Sequence, residues 1–249
     1  MQAPERYGRE RDGHAQRVAR ATERLRQAAQ AHPGRVVLAT SLGAEDMVLT
    51  DLIARHRLGI ALATLDTGRL HASTRAMLPR IEARYGLTVR VYSPAAQAVI
   101  HFERDRGPDV MRQSLAGRQA CCALRKLEPL QRLLDGHTAW VVGLRRGQSS
   151  NRAEQPFETL DKAGRRKLAP LADWTQADVW HYIGEHQVPY NPLHDAFHPS
   201  IGCEPCTRAV ALGEDERAGR WWWEHASAQE CGLHPVAGTA QPPHEVHTA

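Results

Sequence analysis

Two hydrophobic patterns alternate along the chain between residues 15 and 144. Short apolar runs bounded by turn residues, at 35–41, 61–65, 88–92 and 139–144, predict strands. The first is an almost unbroken apolar run, as expected of a parallel strand covered on both faces. Helical spacing predicts the segments between them. Residues 15–31 place Val18, Ala21, Leu25 and Ala28 on one face, a second helix carries Met47, Leu49, Leu52 and Ile53, and a third covers 73–85. Residues 119–134 repeat Leu124, Leu127, Leu130, Leu133 and Leu134, with Cys121, Cys122, Arg125 and Lys126 near their start. The alternation predicts an α/β fold with a mostly parallel sheet and helices on both faces. Farther along, residues 161–166 are polar and contain Gly164, which predicts a flexible link. Thr175-Gln176-Ala177-Asp178 predicts a capping box opening a helix through Val179, Trp180 and Ile183.

Ligands of such sheets bind beyond the carboxyl ends of the strands. Ser41-Leu42-Gly43, Asp66-Thr67-Gly68 and Arg145-Arg146 each follow a predicted strand, so one rim collects them. The first of these loops runs into a helix N-terminus, whose unpaired N–H groups and dipole suit an anion.

Composition narrows the class. With 249 residues, 42% hydrophobic and 24% charged, the chain is ordinary for a globular protein. No apolar run approaches a membrane span and Met1–Arg11 lacks a signal-peptide core, so a cytoplasmic location is expected. Balancing 32 basic against 28 acidic residues leaves +4, too little to argue for nucleic-acid binding. The arginines cluster at Arg145-Arg146, Arg152, Arg165-Arg166 and Arg217/Arg220, which suits a small, highly anionic ligand. Of five cysteines, Cys121-Cys122 and the Cys203-x-x-Cys206 pair make two sets, and Cys231 is left over. In a reducing compartment four such thiols suggest a metal centre, either zinc or iron-sulfur, or a redox dithiol, and the fifth suggests a nucleophile.

Ser41-Leu-Gly-Ala-Glu-Asp46, Leu65-Asp-Thr-Gly-Arg-Leu-His71, Cys121-Cys122 with Arg125-Lys126, Gly143-Leu-Arg-Arg-Gly-Gln-Ser149, Ile201-Gly-Cys-Glu-Pro-Cys-Thr-Arg208, Gly219-Arg-Trp-Trp-Trp-Glu224 and Glu230-Cys-Gly-Leu-His234 follow one another in the chain. This ordered set resembles the assimilatory adenylylsulfate (APS) reductases. Two departures are Leu42, where Phe is usual, and Ala72-Ser73, where Pro-Glu is common. The resemblance implies a Rossmann-like, adenine-nucleotide α-hydrolase-like fold. It implies a nucleotide-binding domain over 15–210 and a catalytic segment over 211–234, while the residues themselves, with little to pack, predict disorder in 1–14 and 235–249.

The resemblance also implies roles. Cys121, Cys122, Cys203 and Cys206 would ligate a [4Fe-4S] cluster. Adjacent helical side chains diverge by about 100°, so two neighbouring ligands require a distorted or terminal helical turn. Cys231 would attack the sulfur of APS, releasing AMP, with Lys126, Arg217, Arg220 and His234 assisting. Ser41 and Gly43, in the loop expected beside the phosphosulfate, together with Asp66, Thr67, Gly68, Arg69, Arg146 and Arg152, would bind substrate. Thioredoxin, as a separate protein, would supply electrons, since the chain ends soon after Cys231. Homo-oligomerisation stays open. The 3′-phosphorylated substrate PAPS is the near alternative. An ATP-dependent tRNA-thiolating enzyme is a distant one, because the Ser-Gly-Gly-x-Asp-Ser loop of that class is missing. A zinc-binding interaction module is a third.

Overall fold

The computed structural model describes residues 1–149 and 152–224. In chain order the elements are α1 (Ala3–Tyr7), α2 (His14–Ala31), β1 (Val36–Thr40), α3 (Ala44–Arg55), β2 (Ala61–Leu65), α4 (Ala72–Arg75), α5 (Met77–Tyr85) and β3 (Val89–Tyr92). There follow α6 (Ala96–Arg106), α7 (Val110–Gln113), α8 (Leu115–Cys122), a π-helical segment (Ala123–Leu127), α9 (Glu128–Leu134), β4 (Ala139–Val141), β5 (Glu158–Leu160), β6 (Arg166–Leu168) and α10 (Gln176–His186). The strands form one sheet in the order β3-β2-β1-β4-β6-β5. All neighbours are parallel except β5 and β6.

Alternation along the strands separates two cores. Val36, Leu38, Leu62 and Val141 point into a cluster with Leu25, Met47, Leu49, Leu52, Ile81 and Ile183. Val37, Ala63, Trp140 and Val142 point the opposite way, against Leu130, Leu133 and Leu134. The α/β sheet with two covered faces is thus the one the apolar runs predicted. Among the described residues no helix is long and apolar enough to cross a membrane.

Several details differ from the sequence reading. Residues 1–14, expected to be disordered, contain α1. Its core contacts are only Ala3 and Tyr7, too few to show as an apolar stripe, and hydrogen bonds add to them: Ala3 N donates to Asp195 Oδ1 at 2.6 Å, and Arg6 donates to the Asp195 carbonyl. Residues 161–166, expected to be a flexible link, instead close the β5–β6 hairpin. There Asp161 Oδ1 accepts from Ala163 N and Arg165 N, and Gly164 adopts φ +77°. The edge strand β5 reads Glu-Thr-Leu and its neighbour β6 reads Arg-Lys-Leu, and charge of that kind protects a sheet edge while hiding it from hydrophobic pattern matching. The predicted 73–85 helix is broken at Ala76 into α4 and α5.

The capping box is present. Thr175 Oγ1 accepts from Asp178 N, and Asp178 Oδ2 accepts from Thr175 N. Asp178 is fully buried and also accepts from Arg17 at 2.6 Å. Burial alone would raise its pKa, but the bonds from Thr175, Arg17 and His14 outweigh it and bring it down to about 2. Because the folded pKa is depressed, this stabilisation is complete above the unfolded value and is lost as the pH falls through about 2. Asp178→Asn is expected to cost roughly 2–4 kcal/mol at neutral pH. Denaturant melts would show the deficit, and a midpoint unchanged from the parent would refute this account of α10.

Candidate active site

The carboxyl ends of β1, β2 and β4 open into a cleft of about 210 Å³, lined by Ser41, Gly43, Thr67, Lys126, Arg152, Cys203, Arg217 and Arg220 among others. Its floor is apolar, made by Ala39, Leu65, Leu130, Trp140 and Val142. Charge divides the rest of the wall into two ends.

At one end the loop after β1 turns sharply through Leu42, whose φ of +62° is unusual for a branched residue. Asp46 Oδ2 accepts from both Ser41 N and Ser41 Oγ at 2.6 Å, and Leu42 N donates to Thr40 Oγ1. Two N–H groups expected to face an anion are therefore satisfied within the loop. Burial pushes Asp46 up to about 6, against the lowering effect of Ser41. Gly143 is required here, because a Cβ would lie 2.4 Å from Asp46 Oδ1. Arg145 is buried between Glu45 and Glu216, at 2.8 and 2.9 Å. For Glu45, burial works upward but the Arg145 charge and hydrogen bonds prevail, and its pKa falls. For Glu216 burial prevails over Arg145, and its pKa rises to about 7. Gln148 bonds Glu45 and receives Arg152, which brings the Gly143–Ser149 motif onto the β1 loop. This end of the cleft is acidic, so the loop suits hydrogen-bond donors, such as nucleoside hydroxyl or amino groups, better than phosphosulfate.

The other end is cationic and adjoins the cysteines. Cys121, Cys122, Cys203 and Cys206 line one small cavity with Arg69, Met111, Arg118, Arg125, Lys126 and Trp221. The distorted turn expected beside the paired cysteines is the π-helical segment, where Glu128 N reaches back five residues to the Ala123 carbonyl. It carries Arg125 and Lys126. Arg125 donates to the Thr67 carbonyl at 2.7 Å and to Glu103 at 2.6 Å, and Arg69 donates to the same Glu103 oxygen at 2.7 Å. The turn after β2 is thereby tied to the π segment. It is also tied to the CxxC loop, through the Leu70–Cys203 bridge, Glu204 N to the Arg69 carbonyl, and Thr67 Oγ1 to Cys203 Sγ at 3.2 Å. Arg118 and Arg220 lie over the buried Trp221 ring, each 4.6 Å from its centroid, with Arg217 at 5.9 Å. Arg217 lies in a turn and Arg220 in an isolated bridge to Thr207, and both approach the same Trp221 ring.

Burial raises the pKa of Cys121, and it pushes Cys206 up to about 11 despite Lys126 and Arg220. Four thiols in one buried, cation-rimmed cavity form a donor set for a metal centre, whose positive charge would hold them as thiolates. Lys126 lines both this cavity and the cleft.

The expected substrate residues divide. Ser41, Gly43, Thr67 and Arg152 line the cleft with Lys126, Arg217 and Arg220. Asp66, Gly68 and Arg69 do not: Asp66 Oδ1 caps its own turn on Gly68 N, Gly68 holds φ +72° beside Arg125, and Arg69 faces the cysteine cavity. Arg146 turns away, with its guanidinium on the Phe157 ring and bonded to the Gln155 carbonyl. Cys231, His234 and the 235–249 tail lie outside the described residues. Residues of this wall to which the sequence reading gave no individual role are Glu45, Asp46, Gln148, His194 and Glu216, and it placed Arg145 on the rim without foreseeing its burial between carboxylates. His194 is buried on the cleft wall, and burial brings its pKa down to about 4. The neglected signal for Arg145 was parity: Trp140, Val142 and Leu144 share one face, so Arg145 continues the face of Val141 and Gly143 toward α3.

A family model described as the phosphoadenosine phosphosulfate reductase domain matches residues 35–209. The adenosine 5′-phosphosulfate reductase of Allochromatium vinosum is 54% identical over 200 residues, covering 80% of this chain and 78% of that one. Its counterpart from Burkholderia cepacia is 47% identical over 229 residues, covering 92% and 91%. The crystal structure of phosphoadenylyl-sulfate reductase from Candida auris, a phosphate complex, aligns with a TM-score of 0.65 at 27% identity over 76% of this chain and 90% of that one. The cleft at the strand ends, the cysteine cavity and the sequence likeness agree, and the chain belongs to the phosphoadenosine phosphosulfate reductase family.

Proposed function

We propose that this chain reduces adenosine 5′-phosphosulfate to sulfite and AMP in the cytoplasm, with reduced thioredoxin as electron donor. The observation that carries the reading is the position of Lys126, whose side chain borders both the cleft at the strand ends and the cavity of four cysteines. The apolar floor and acidic end would receive the adenosine, and Lys126, Arg217 and Arg220 would receive the phosphosulfate. The Cys231 thiolate attacks sulfur, the sulfur–oxygen bond to phosphate breaks, and AMP departs with the electron pair. One thioredoxin thiolate then attacks the Cys231 sulfur and expels sulfite, and the second thioredoxin thiol resolves the mixed disulfide. The protein disulfide that remains is oxidised thioredoxin.

The first step brings an anion against an anion. Fixed cations on the nonbridging oxygens therefore lower its barrier most, because the site around them is largely withdrawn from water. Cys121, Cys122, Cys203 and Cys206 would hold a [4Fe-4S] cluster, which when bound fixes the thiolates and sets the charge beneath the substrate. The likeness to the adenosine 5′-phosphosulfate reductases and the presence of the Cys-Cys and CxxC pairs favour APS over PAPS as substrate.

Lys126→Gln is expected to lower kcat/KM for APS by about 10²–10³-fold while the metal content is unchanged. Steady-state assays with reduced thioredoxin would measure this beside the parent with APS and PAPS. A parent specificity constant higher for PAPS would reverse the substrate assignment, and a fully active Lys126→Gln enzyme would remove Lys126 from the site.

A further inference from the structure

We infer that the chain carries a second metal site, for a borderline divalent cation such as Zn²⁺, built by His14, His181 and Glu185. Each offers a donor atom within 4.8 Å of the other two. His14 opens α2, while His181 and Glu185 stand one turn apart on α10, so the site would join the two helices. None of the three lines the cleft or the cysteine cavity.

The second indication is the state of His14. Its side chain is 7% exposed, and its Nε2 is buried with no hydrogen-bond partner among the described residues. Its Nδ1 lies 3.2 Å from Asp178 Oδ1. A neutral imidazole that donates Nδ1–H to a carboxylate presents the Nε2 lone pair, the arrangement in which metal-ligating histidines are oriented and made more basic. Asp178 is itself fixed by Arg17 and the Thr175 cap, so the donor is held in place before any ion arrives. His181 packs edge-on to His14, with ring centroids 4.8 Å apart and planes at 84°, and Glu185 Oε2 lies 3.9 Å from His181 Nε2. His186 also approaches Glu185, at 3.8 Å, and competes for it when protonated.

Tetrahedral zinc with these ligands brings donors to roughly 3.3 Å from one another. The necessary closure falls on the half-exposed Glu185 and the partly exposed His181, while buried His14 stays still. Two imidazoles and one carboxylate select zinc, cobalt or nickel over magnesium or calcium, and leave a position for water.

The test uses anaerobic holoprotein, its cysteines already occupied, titrated with Co²⁺ and then Zn²⁺. The expected result is one equivalent of Co²⁺ per chain with weak visible bands and no strong sulfur-to-cobalt charge transfer, displaced by Zn²⁺, together with a zinc-dependent rise in Tm. His181→Ala and Glu185→Ala, both at accessible positions, should each weaken binding at least tenfold and abolish the rise. Their zinc-free Tm and the visible absorption of the cysteine centre should match the parent. No binding beyond the cysteines, strong charge transfer, or equal affinity in parent and variants would overturn the site. Sulfite production by the same preparation reports separately on the reductase reading.

Discussion

Cys231→Ser is expected to abolish sulfite release, by more than about 10⁴-fold, while nucleotide binding and the metal content stay as in the parent. The hydroxyl is a far weaker nucleophile than a thiolate at neutral pH, and the other four cysteines, Cys121, Cys122, Cys203 and Cys206, all line the small cavity where they would ligate the metal centre. The last described residue before Cys231 is Glu224, bonded through Oε1 to Arg118 Nε at 2.6 Å beside Trp221, so the chain leaves the described fold next to the cysteines. The decisive measurement incubates the parent with sulfur-labelled APS without thioredoxin and maps the label. One labelled sulfonate per chain on Cys231, released by reduced thioredoxin, is expected. Label on another residue, or continued turnover by the serine variant, would sink the mechanism.

Cys203→Ser is expected to remove the metal centre altogether, from about four iron per chain to near zero, with loss of its visible absorption. The effect is large because Cys203 belongs to two systems. Its sulfur joins the donor cavity and meets Thr67 Oγ1, while its backbone bridges to Leu70 and so binds the CxxC loop to the turn after β2. Serine leaves the backbone bridge possible but offers a hard, poorly ionised ligand where a thiolate is required. Iron and acid-labile sulfide assays on anaerobic protein would test this, and circular dichroism would separate ligand loss from unfolding. Retention of a full complement of iron would show that the four cysteines are not the ligand set. Colourless parent protein carrying one zinc would likewise exclude the [4Fe-4S] assignment.

Strands β1, β2 and β4 were legible because both their faces are largely buried, which leaves an apolar run with little interruption, whereas β3, with Arg90 and Val91 exposed, was legible only from its Val and Tyr residues. The β5–β6 pair was not, since its six residues are short, charged and at the sheet edge. Helix α6 was also missed: none of its residues is buried, so it carries no apolar stripe to detect. At the site, motifs located the loops but not the directions of their side chains. Arg145 and Arg146 are adjacent and chemically identical, yet one is buried between two carboxylates and the other lies on Phe157. Spacing likewise put Arg217 near Arg220, but it could not show that both approach the Trp221 ring. His194 gave no signal because its significance rests on burial against the cleft, which pattern alone does not report.

The π-helical segment between α8 and α9 acts as a phase shift. A regular helix would have to satisfy two demands with one rotation: the cysteines of α8 toward their cavity, and Leu130, Leu133 and Leu134 of α9 toward the sheet. The wider turn adds about one residue, near 100° of rotation, and lets each half keep its own orientation, with Arg125 and Lys126 at the join. Deleting a single residue from 123–127 would restore an ordinary helix and, with every side chain otherwise intact, set the two halves out of step. The paired cysteines and the leucine stripe are thus compatible only through an irregularity in the backbone, and that makes the length of this segment as constrained as its composition.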